Sequence, residues 1–201
     1  MAVASHSLGV VRSGDREPTP WKNGQGATRE IARRLLGVRG PHFVWRISVS
    51  DIHADADFGA FPGVQRSTTL IHGDGMVLDV AGTARELVPF EPSTFDGAAE
   101  AHARLSHGPV SILNVFTVAS RMSAAVRIVD FSDGRPLSIA GATVLVLLGG
   151  HASVYAAEGT NGNLAPLDAL VPRPRVRLVS GSGMAAVVRM ENYRAWRAFS
   201  W

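Results

Sequence analysis

The stretch FVWRISVS, residues 43–50, alternates large apolar side chains with smaller or polar ones. Phe43, Trp45, Ile47 and Val49 fall on one face of an extended chain, and the residues between them fall on the other. Apolar residues that recur with a period of two are typical of a half-buried β-strand. This stretch therefore predicts a strand with one face in a hydrophobic core.

Strand-like patterns continue along most of the chain, and long amphipathic helices are missing from it. The segment TTLIHGDGMVLDVAG, residues 68–82, predicts a β-hairpin with a Gly-Asp-Gly turn at 73–75. Two more strands, GPVSILNVFTV at 108–118 and GMAAVVRM at 183–190, each open with glycine. Short helices fit two segments, DFGAFPG at 57–63 and the tail NYRAWRAFSW at 192–201. The pattern predicts an all-β protein.

An internal sequence similarity suggests that one unit of short strands occurs twice. In both copies a predicted hairpin precedes an LVP turn, a glycine and a further strand. The paired segments are TLIHGDGMVL (69–78) with VLLGGHASVY (146–155), LVPFEP (87–92) with LVPRP (170–174), and GPVSILNVF (from 108) with SGMAAVVRM (from 182). Any two β-rich stretches share some likeness at this level, but the common LVP element favours a duplication. We therefore expect two small β-barrels or sandwiches in one chain.

Composition excludes several classes of protein. The 201 residues are 46% hydrophobic, enough to bury a core without outside support. The formal charge of +3 is small and its arginines lie among acidic residues, so we expect no nucleic-acid partner. The chain has no cysteine, which excludes disulfides, thiolate nucleophiles and cysteine-based zinc sites. With neither a secretory signal nor a membrane-spanning run, we expect a soluble cytoplasmic protein without membrane partners.

The segment WKNGQGATREI, residues 21–31, contains the only lysine of the chain, Lys22. Asn-Gly followed by Gln-Gly predicts a tight, shaped loop, but neither glycine-rich phosphate-loop motif is present. Lys22 and Asn23 offer an ammonium and a carboxamide, which suit a carboxylate or amide ligand. The alternative is a solvent-exposed lysine beside a structural Asn-Gly turn.

Three further polar residues stand out on predicted strands. Arg66 opens a strand from which it could grip a carboxylate at a barrel mouth, or form a rim ion pair of little consequence. Arg46 lies between large apolar neighbours, so it needs a partner, either an acid such as Glu30 or an anionic ligand. Asn114 is the single amide on an apolar strand face, where it either is a satisfied core group or orients a ligand.

Metal and nucleophile chemistry find little support in the sequence. The seven histidines are scattered, and no His-x-His pair occurs. His72 and His151 fall at predicted hairpin turns, where a histidine is usually solvated. We therefore predict neither a metal site nor a cofactor, and no catalytic triad.

Four motifs in order resemble the HutD/Ves family. They are WKNG-x-G-x-T-R-E-I from residue 21, WR-x-S-x-x-x-I from 45, F-x-x-FPG-x-x-R from 58 and GPV-x-x-x-NV from 108. The motif-rich part runs from about Arg16 to Arg121, and the likeness continues more weakly to about Glu191. The resemblance implies an RmlC-like bicupin with two antiparallel barrels, residues 1–125 with the WKNG loop and a degenerate second barrel, 126–201, with the aromatic tail.

The resemblance also implies a function and a set of pocket residues. Family members are associated with histidine utilisation and stress responses, and are regarded as non-enzymatic, metal-free binders of small carboxylates such as formate, formylglutamate or urocanate. Carried over residue by residue, the ligand-binding set is Lys22, Asn23, Arg46, Arg66 and Asn114. The chain departs from the family where Ile112 replaces an aspartate and Gln25 interrupts a glycine triplet, which leaves the ligand identity open.

The first hypothesis is therefore a bicupin that senses or buffers a carboxylate metabolite, with no cofactor and with a homodimer as a further expectation. The second is a cupin enzyme, either an isomerase or a metal-dependent oxygenase, acting on a small acid. The third is a protein-interaction module, for which the aromatic tail at 193–201 is the one hint.

Overall fold

The computed structural model describes residues 8–35, 43–156, 161–172 and 176–192. Their seventeen regular elements are all β-strands, which confirms the predicted all-β class. The described chain falls into two compact units. The first unit contains residues 17–124 and 191–192, and the second contains residues 8–16 and 125–190 with the gaps given above.

Ten strands belong wholly to the first unit and form two antiparallel sheets. They are β2 (Thr19–Pro20), β3 (Gly26–Arg34), β4 (Trp45–Ile52), β5 (Ala56–Phe58), β6 (Val64–His72), β7 (Met76–Val80), β8 (Thr83–Glu86), β9 (Ser93–Asp96), β10 (Ala101–Leu105) and β11 (Val110–Val118). The six-stranded sheet has the order β2-β3-β4-β11-β6-β9, and the four-stranded sheet has the order β5-β10-β7-β8. A cluster of buried apolar side chains from both sheets, which includes Ile52, Leu70 and Leu78, forms one core of this unit.

The predicted hairpin at residues 68–82 is wrong. Strands β6 and β7 flank the 73–75 turn as expected, but β6 pairs with β11 and β9 while β7 pairs with β10 and β8. Gly73 and Gly75 have φ angles of 104° and 136°, so the turn redirects the chain from one sheet to the other. The short helix proposed for residues 57–63 is also wrong, because β5 ends at Phe58 and a turn leads into β6.

The second unit is one seven-stranded antiparallel sheet. Its strands are β1 (Val10–Val11), β12 (Met122–Phe131, shared with the end of the first unit), β13 (Leu137–Ser138), β14 (Val144–Ala156), β15 (Asn161–Leu164), β16 (Ala169–Leu170) and β17 (Val176–Asn192). The main order is β1-β16-β14-β17-β12, with β13 on β17 and β15 on β14. The predicted strand at 183–190 lies inside β17, which begins earlier. A cluster that includes Leu145, Leu147 and Val179 forms the core of this unit.

Glycines bend the long pair β14 and β17 where their register shifts. Gly150 pairs with Gly183, and the ladder is irregular between Leu147 and Gly149. Gly150, Gly181 and Gly183 all have positive φ angles, and a Cβ at Gly150 would overlap the carbonyl oxygen of Ser182. His151 consequently lies inside a continuous strand, and the hairpin turn predicted there is wrong.

Asp168 fastens the N-terminal segment to the second unit. Its carboxylate accepts hydrogen bonds from the backbone amides of Ser13 (2.7 Å) and Ala165 (3.0 Å) and forms an ion pair with Arg12 (2.6 Å). Burial raises the pKa of Asp168, but these hydrogen bonds and the Arg12 charge outweigh it, so the pKa lies below its usual range. Residues 8–16 therefore belong to the same unit as residues 125–190.

In the described ranges none of the three sheets closes on itself to form a barrel, and the division into two cupin barrels stays a prediction. The same ranges contain no helix long and apolar enough to cross a membrane. The aromatic tail at 193–201 lies outside the described residues, so the interaction-module hypothesis stays untested.

Candidate functional site

A cavity of about 450 Å³ opens in the first unit, on the face of the six-stranded sheet that carries the core. Its wall combines aromatic rings with cationic and hydroxyl side chains. The lining residues are Thr19, Pro20, Trp21, Lys22, Asn23, Thr28, Arg46, Ser48, Ser50, Asp57, Phe58, Gly59, Phe61, Arg66 and Phe116. Four of the five predicted ligand-binding residues are in this set, and the fifth, Asn114, lies directly behind it.

The sheet register brings these residues together. In the antiparallel ladders Asn114 of β11 stands opposite Ser48 of β4 and Thr68 of β6, and Phe116 stands opposite both Arg46 and Arg66. Side chains two residues apart on a strand share a face, so polar groups from three strands converge there. The polar face of the 43–50 stretch thus points into a cavity, where Ser48 is buried, and the half-buried strand of the prediction is buried on both faces.

Arg66 lies at the buried end of the cavity and is only 4% exposed. Its Nε donates to Oδ1 of Asn114 at 3.1 Å and to Oγ1 of Thr68 at 3.2 Å, and its Nη2 donates to the same Asn114 oxygen at 2.9 Å. Its Nη1 makes no hydrogen bond to any described residue. One edge of the guanidinium is therefore fixed, while Nη1 keeps its donors unused.

Aromatic rings surround the guanidinium instead of carboxylates. The Cζ atom of Arg66 lies 4.0 Å from the ring centroid of Phe58, 5.2 Å from that of Phe116 and 5.5 Å from that of Phe95. No described carboxylate forms an ion pair with Arg66, so the alternative of a rim ion pair is wrong. Burial lowers the pKa of Arg66 to about 9. The positive charge of this side chain is under-compensated.

Asn114 is 2% exposed and uses both ends of its amide to organise neighbours. Its Oδ1 accepts from Arg66 and, at 2.9 Å, from Oγ1 of Thr68, while its Nδ2 donates to Oγ of Ser50 at 3.3 Å. This arrangement defines which end of the amide is oxygen, because the oxygen faces only donors. Asn114 therefore positions Arg66 and stands behind the cavity wall.

Two hydroxyl groups of the wall have unused donor capacity. Ser48 is 1% exposed, and its buried Oγ has no hydrogen-bond partner among the described residues. Oγ1 of Thr28 and Oγ of Ser50 lie 2.8 Å apart, and each also accepts one N–H hydrogen bond, from Trp21 and Asn114 respectively. Only one of the two hydroxyl protons can lie between Thr28 and Ser50, so the other lacks a described acceptor. Buried polar groups normally find partners, which makes this surplus informative.

The WKNG loop forms the outer part of the cavity. Lys22 is exposed and lines it without an ion pair to a described acid. Oδ1 of Asn23 accepts from the backbone amide of Gln25 at 3.1 Å, so this side chain also holds the turn. Asp57 is the carboxylate in the lining, and its Oδ1 lies 2.7 Å from Nδ1 of His102.

Arg46 has the protein partner that the sequence suggested. Its Nε donates to Oε2 of Glu30 at 2.9 Å, and the Arg46 side chain is 25% exposed. Glu30 also forms an ion pair with Arg33 at 3.3 Å, so one carboxylate is shared by two arginines. It compensates part of the Arg46 charge, whereas Arg66 and Lys22 have no carboxylate partner among the described residues.

Several wall residues were absent from the predicted site, chiefly Trp21, Thr28, Ser48, Ser50 and Phe58. The hydroxyl residues carried a usable signal, since Ser48 and Ser50 occupy the polar positions of the 43–50 alternation. Phe58 and Trp21 carried none, because aromatic residues of a β-protein usually pack in a core. The departure at Ile112 lies outside the wall, since Ile112 is fully buried in the core with Leu70.

The described residues contain no group of three histidine, cysteine or acidic side chains arranged to hold a metal ion. What the cavity offers is a positively charged, donor-rich inner end below aromatic walls. Such an end suits the oxygen atoms of a small anion.

The fold and the site define an all-β protein with a cationic cavity in its first unit. The sequence matches the HutD family over residues 13–186, and the chain belongs to that family. An uncharacterised 21.2 kDa protein from the hutC 3′ region of Pseudomonas putida is 35% identical over 149 residues, 73% of this chain and 77% of its own. Protein Ves from Citrobacter koseri is 38% identical over 112 residues, 55% of this chain and 58% of its own.

Solved structures agree with the family and the fold. The structure of HutD from Pseudomonas fluorescens SBW25, described as a formate condition, superposes with a TM-score of 0.76 at 32% identity and covers 92% of this chain and 98% of its own. A cupin 2 conserved barrel domain protein from Leptotrichia buccalis superposes with a TM-score of 0.57 at 10% identity, covering 87% and 96%. The second likeness shows that the fold is cupin-like.

Proposed function

We propose that this cupin-like protein binds a small carboxylate metabolite in the Arg66 cavity and acts through occupancy, without chemical turnover. The observation that carries the proposal is the Arg66 guanidinium, which is buried, lacks a carboxylate partner among the described residues and keeps Nη1 unused. A carboxylate can accept two parallel hydrogen bonds from such a group.

The balance of donors and acceptors supports an anion over a neutral or cationic ligand. The Asn114 oxygen already accepts three hydrogen bonds, from two Arg66 nitrogens and Thr68. The unused groups at the inner end are donors: Nη1 of Arg66, the Ser48 hydroxyl and one proton of the Thr28 and Ser50 pair. An ionised carboxylate accepts hydrogen bonds and donates none, so it complements this set of donors.

Charge supports the same ligand class. A buried cation without a counter-ion destabilises the free protein, and a bound anion relieves that penalty. Lys22 adds a second uncompensated cation on the outer part of the wall. The cavity of about 450 Å³ accommodates a ligand larger than formate, with its apolar part against Phe58, Phe61 and Phe116.

The related proteins narrow the candidates. The formate condition of the Pseudomonas fluorescens structure supports formate as a ligand. Formylglutamate and urocanate are further candidates, because the family to which the chain belongs is associated with histidine utilisation. We infer a regulator or buffer of histidine or amino-acid catabolism, acting in the cytoplasm.

We also infer that residues 1–125 and 126–201 arose by duplication as two cupin modules, although the N-terminal segment 8–16 now belongs to the same compact unit as residues 125–190. The break between the compact units near residue 125 supports this division. So does the alignment of Gly73 with Gly150 in the two similar segments, because both glycines have positive φ angles. The alternative of a cupin enzyme stays a prediction, and metal analysis of the purified protein tests its oxygenase form.

Thermal-shift titration tests the binding proposal. Formate, formylglutamate and urocanate are titrated into the unmodified protein and into Arg66→Met and Lys22→Met. A ligand at about a hundred times its dissociation constant adds roughly 2.7 kcal/mol to the free energy of unfolding. We expect this gain for at least one acid, its loss in Arg66→Met and its reduction in Lys22→Met.

Arg85→Met is the matched control, because Arg85 is an exposed arginine of β8 outside the cavity lining. Its acid response should equal that of the unmodified protein. If all three variants bind the acid with equal affinity, the roles proposed for Arg66 and Lys22 are wrong.

A further inference from the structure

A chain of hydrogen bonds, buried at Arg66 and partly buried toward Trp21, runs from the Arg66 guanidinium to the WKNG loop. Arg66 donates to Asn114, whose Nδ2 donates to Oγ of Ser50 at 3.3 Å. Ser50 lies 2.8 Å from Oγ1 of Thr28, which accepts from Nε1 of Trp21 at 2.8 Å. We call Asn114, Ser50, Thr28 and Trp21 the polar relay. It crosses β11, β4 and β3 and ends at the residue before Lys22.

The relay has little freedom to rearrange. The indole of Trp21 has a single donor and no acceptor, and the Asn114 amide is oriented by the three donors on its oxygen. Both ends therefore donate toward the centre, and the hydroxyl groups of Thr28 and Ser50 are the acceptors that join them. Removing either hydroxyl leaves a donor without its partner.

Trp21 also anchors the main chain of the loop. Its amide donates to the Gly26 carbonyl at 2.8 Å, and its carbonyl accepts from the Gly24 amide at 3.0 Å. Its ring meets Phe58 edge-on with centroids 6.1 Å apart, and Phe58 in turn covers Arg66. Main-chain hydrogen bonds and the indole contacts thus both hold Trp21, the residue directly before Lys22.

We propose that Thr28 and Ser50 are positioning residues that hold the Trp21 anchor, and with it Lys22, in a defined relation to the Arg66 guanidinium. The inference rests on the proposed function insofar as Lys22 and Arg66 act on one bound anion. A ligand with two carboxylates can engage both cations, whereas formate is small enough to need Arg66 alone. The relay therefore determines how strongly the cavity prefers a dicarboxylate to a monocarboxylate.

The experiment compares glutarate and formate as probes in the unmodified protein, Thr28→Val and Thr28→Ser by isothermal titration. Valine keeps the shape of threonine and removes the hydroxyl, and serine restores the hydroxyl. In Thr28→Val we expect glutarate to bind about five-fold more weakly, the change that corresponds to one hydrogen bond, and formate to stay within about two-fold. Thr28→Ser should restore the ratio of glutarate affinity to formate affinity.

Hydrogen exchange of residues 21–26 gives a second readout that needs no ligand. We expect faster amide exchange of these residues in Thr28→Val than in the unmodified protein or Thr28→Ser, because the Trp21 anchor is released. Thr69→Val is the control, since Thr69 is a buried threonine of β6 outside the cavity lining. It should alter neither the ratio nor the exchange of residues 21–26.

The outcomes separate the two proposals. If the unmodified protein binds neither acid, the proposed function fails, and the exchange of residues 21–26 alone decides whether the relay holds the loop. If amide exchange of residues 21–26 is unchanged in Thr28→Val, the positioning role of the relay is refuted, whichever acid the protein binds. If both acids weaken equally in Thr28→Val, Thr28 supports Arg66 only and the positioning of Lys22 is refuted.

Discussion

Oδ1 of Asn114 accepts hydrogen bonds from both Nε and Nη2 of Arg66, at 3.1 and 2.9 Å. A neutral amide thus orients the buried guanidinium without neutralising it. An aspartate at this position would accept the same hydrogen bonds but would supply the counter-ion itself. The choice of asparagine is what leaves the Arg66 charge available to a ligand.

The substitution Asn114→Asp should neutralise the charge of Arg66 from within the protein. The new carboxylate would pair with Arg66, so we expect formate affinity to fall at least about tenfold, which corresponds to about 1.4 kcal/mol. Isothermal titration at neutral pH measures the loss.

Asn163→Asp provides the control for that substitution, because it makes the same change of charge on an exposed strand of the second unit. Formate affinity should be unaffected there. Undiminished binding by Asn114→Asp would show that the Arg66 charge is not the one that a ligand uses.

Ser48→Ala should act in opposite directions on stability and on binding. The buried Ser48 hydroxyl lacks a partner, so its removal should leave the free energy of unfolding unchanged or raise it by up to about 1 kcal/mol. The same removal should weaken acid binding, because the hydroxyl is one of the unused donors at the inner end. Urea unfolding and titration measure the two effects.

Ser67→Ala is the matched comparison, since Ser67 is a buried serine of β6 outside the cavity lining. It should leave acid affinity as it is. A drop in affinity of similar size at Ser67 and Ser48 would mean that the Ser48 hydroxyl makes no particular contribution.

Binding should weaken as pH rises through about 9. Burial lowers the pKa of Arg66 to about 9 in the free protein, and above that pH the side chain becomes neutral. We expect the dissociation constant for formate to rise by up to about tenfold per pH unit beyond that point. Titrations between about pH 7 and about pH 10 test this, and Lys22→Met should keep the dependence because Arg66 is intact.

The lowered pKa of Arg66 also predicts the direction in which the free energy of unfolding changes with pH. The folded-state pKa of Arg66 lies below its ordinary value, so above about pH 9 the unfolded chain binds more protons than the folded one. The contribution of Arg66 to the free energy of unfolding therefore rises with pH in that window. Saturating formate should remove this rise, and a rise that persists with formate would indicate that the bound acid does not contact Arg66.

Gly150→Ala should destabilise the second unit strongly. Gly150 has a φ of 86°, and its new Cβ would overlap the carbonyl oxygen of Ser182 on the paired strand. Backbone strain alone costs about 1–2 kcal/mol, and the overlap adds to it, so we expect a loss of more than about 2 kcal/mol in urea unfolding.

Gly134→Ala is the control, because an added Cβ there meets nothing within 4 Å and φ is not positive. Its free energy of unfolding should change by less than about 1 kcal/mol. Similar losses at the two glycines would argue against the close approach of β14 and β17 at Gly150.

Pairings and sheet membership were the least predictable part of the fold. The 73–75 turn was correctly placed, yet the local sequence offered no way to tell a hairpin from a change of sheet. That distinction depends on whether β6 gains more by pairing with β11, forty residues later, than with its immediate neighbour β7. Such a comparison involves side chains that are distant in the sequence.

Local sequence is enough to predict the strand periodicity, the tight WKNG turn and the residue types able to hold an anion. A period of two follows from the backbone alone, because successive side chains of a strand point in opposite directions. Local sequence does not show that the polar face of residues 43–50 lines a cavity. Nor does it show that Asn114 lies behind Arg66, since the register of β4, β11 and β6 places these side chains together. Register is set by packing over the whole sheet, and no local segment contains that information.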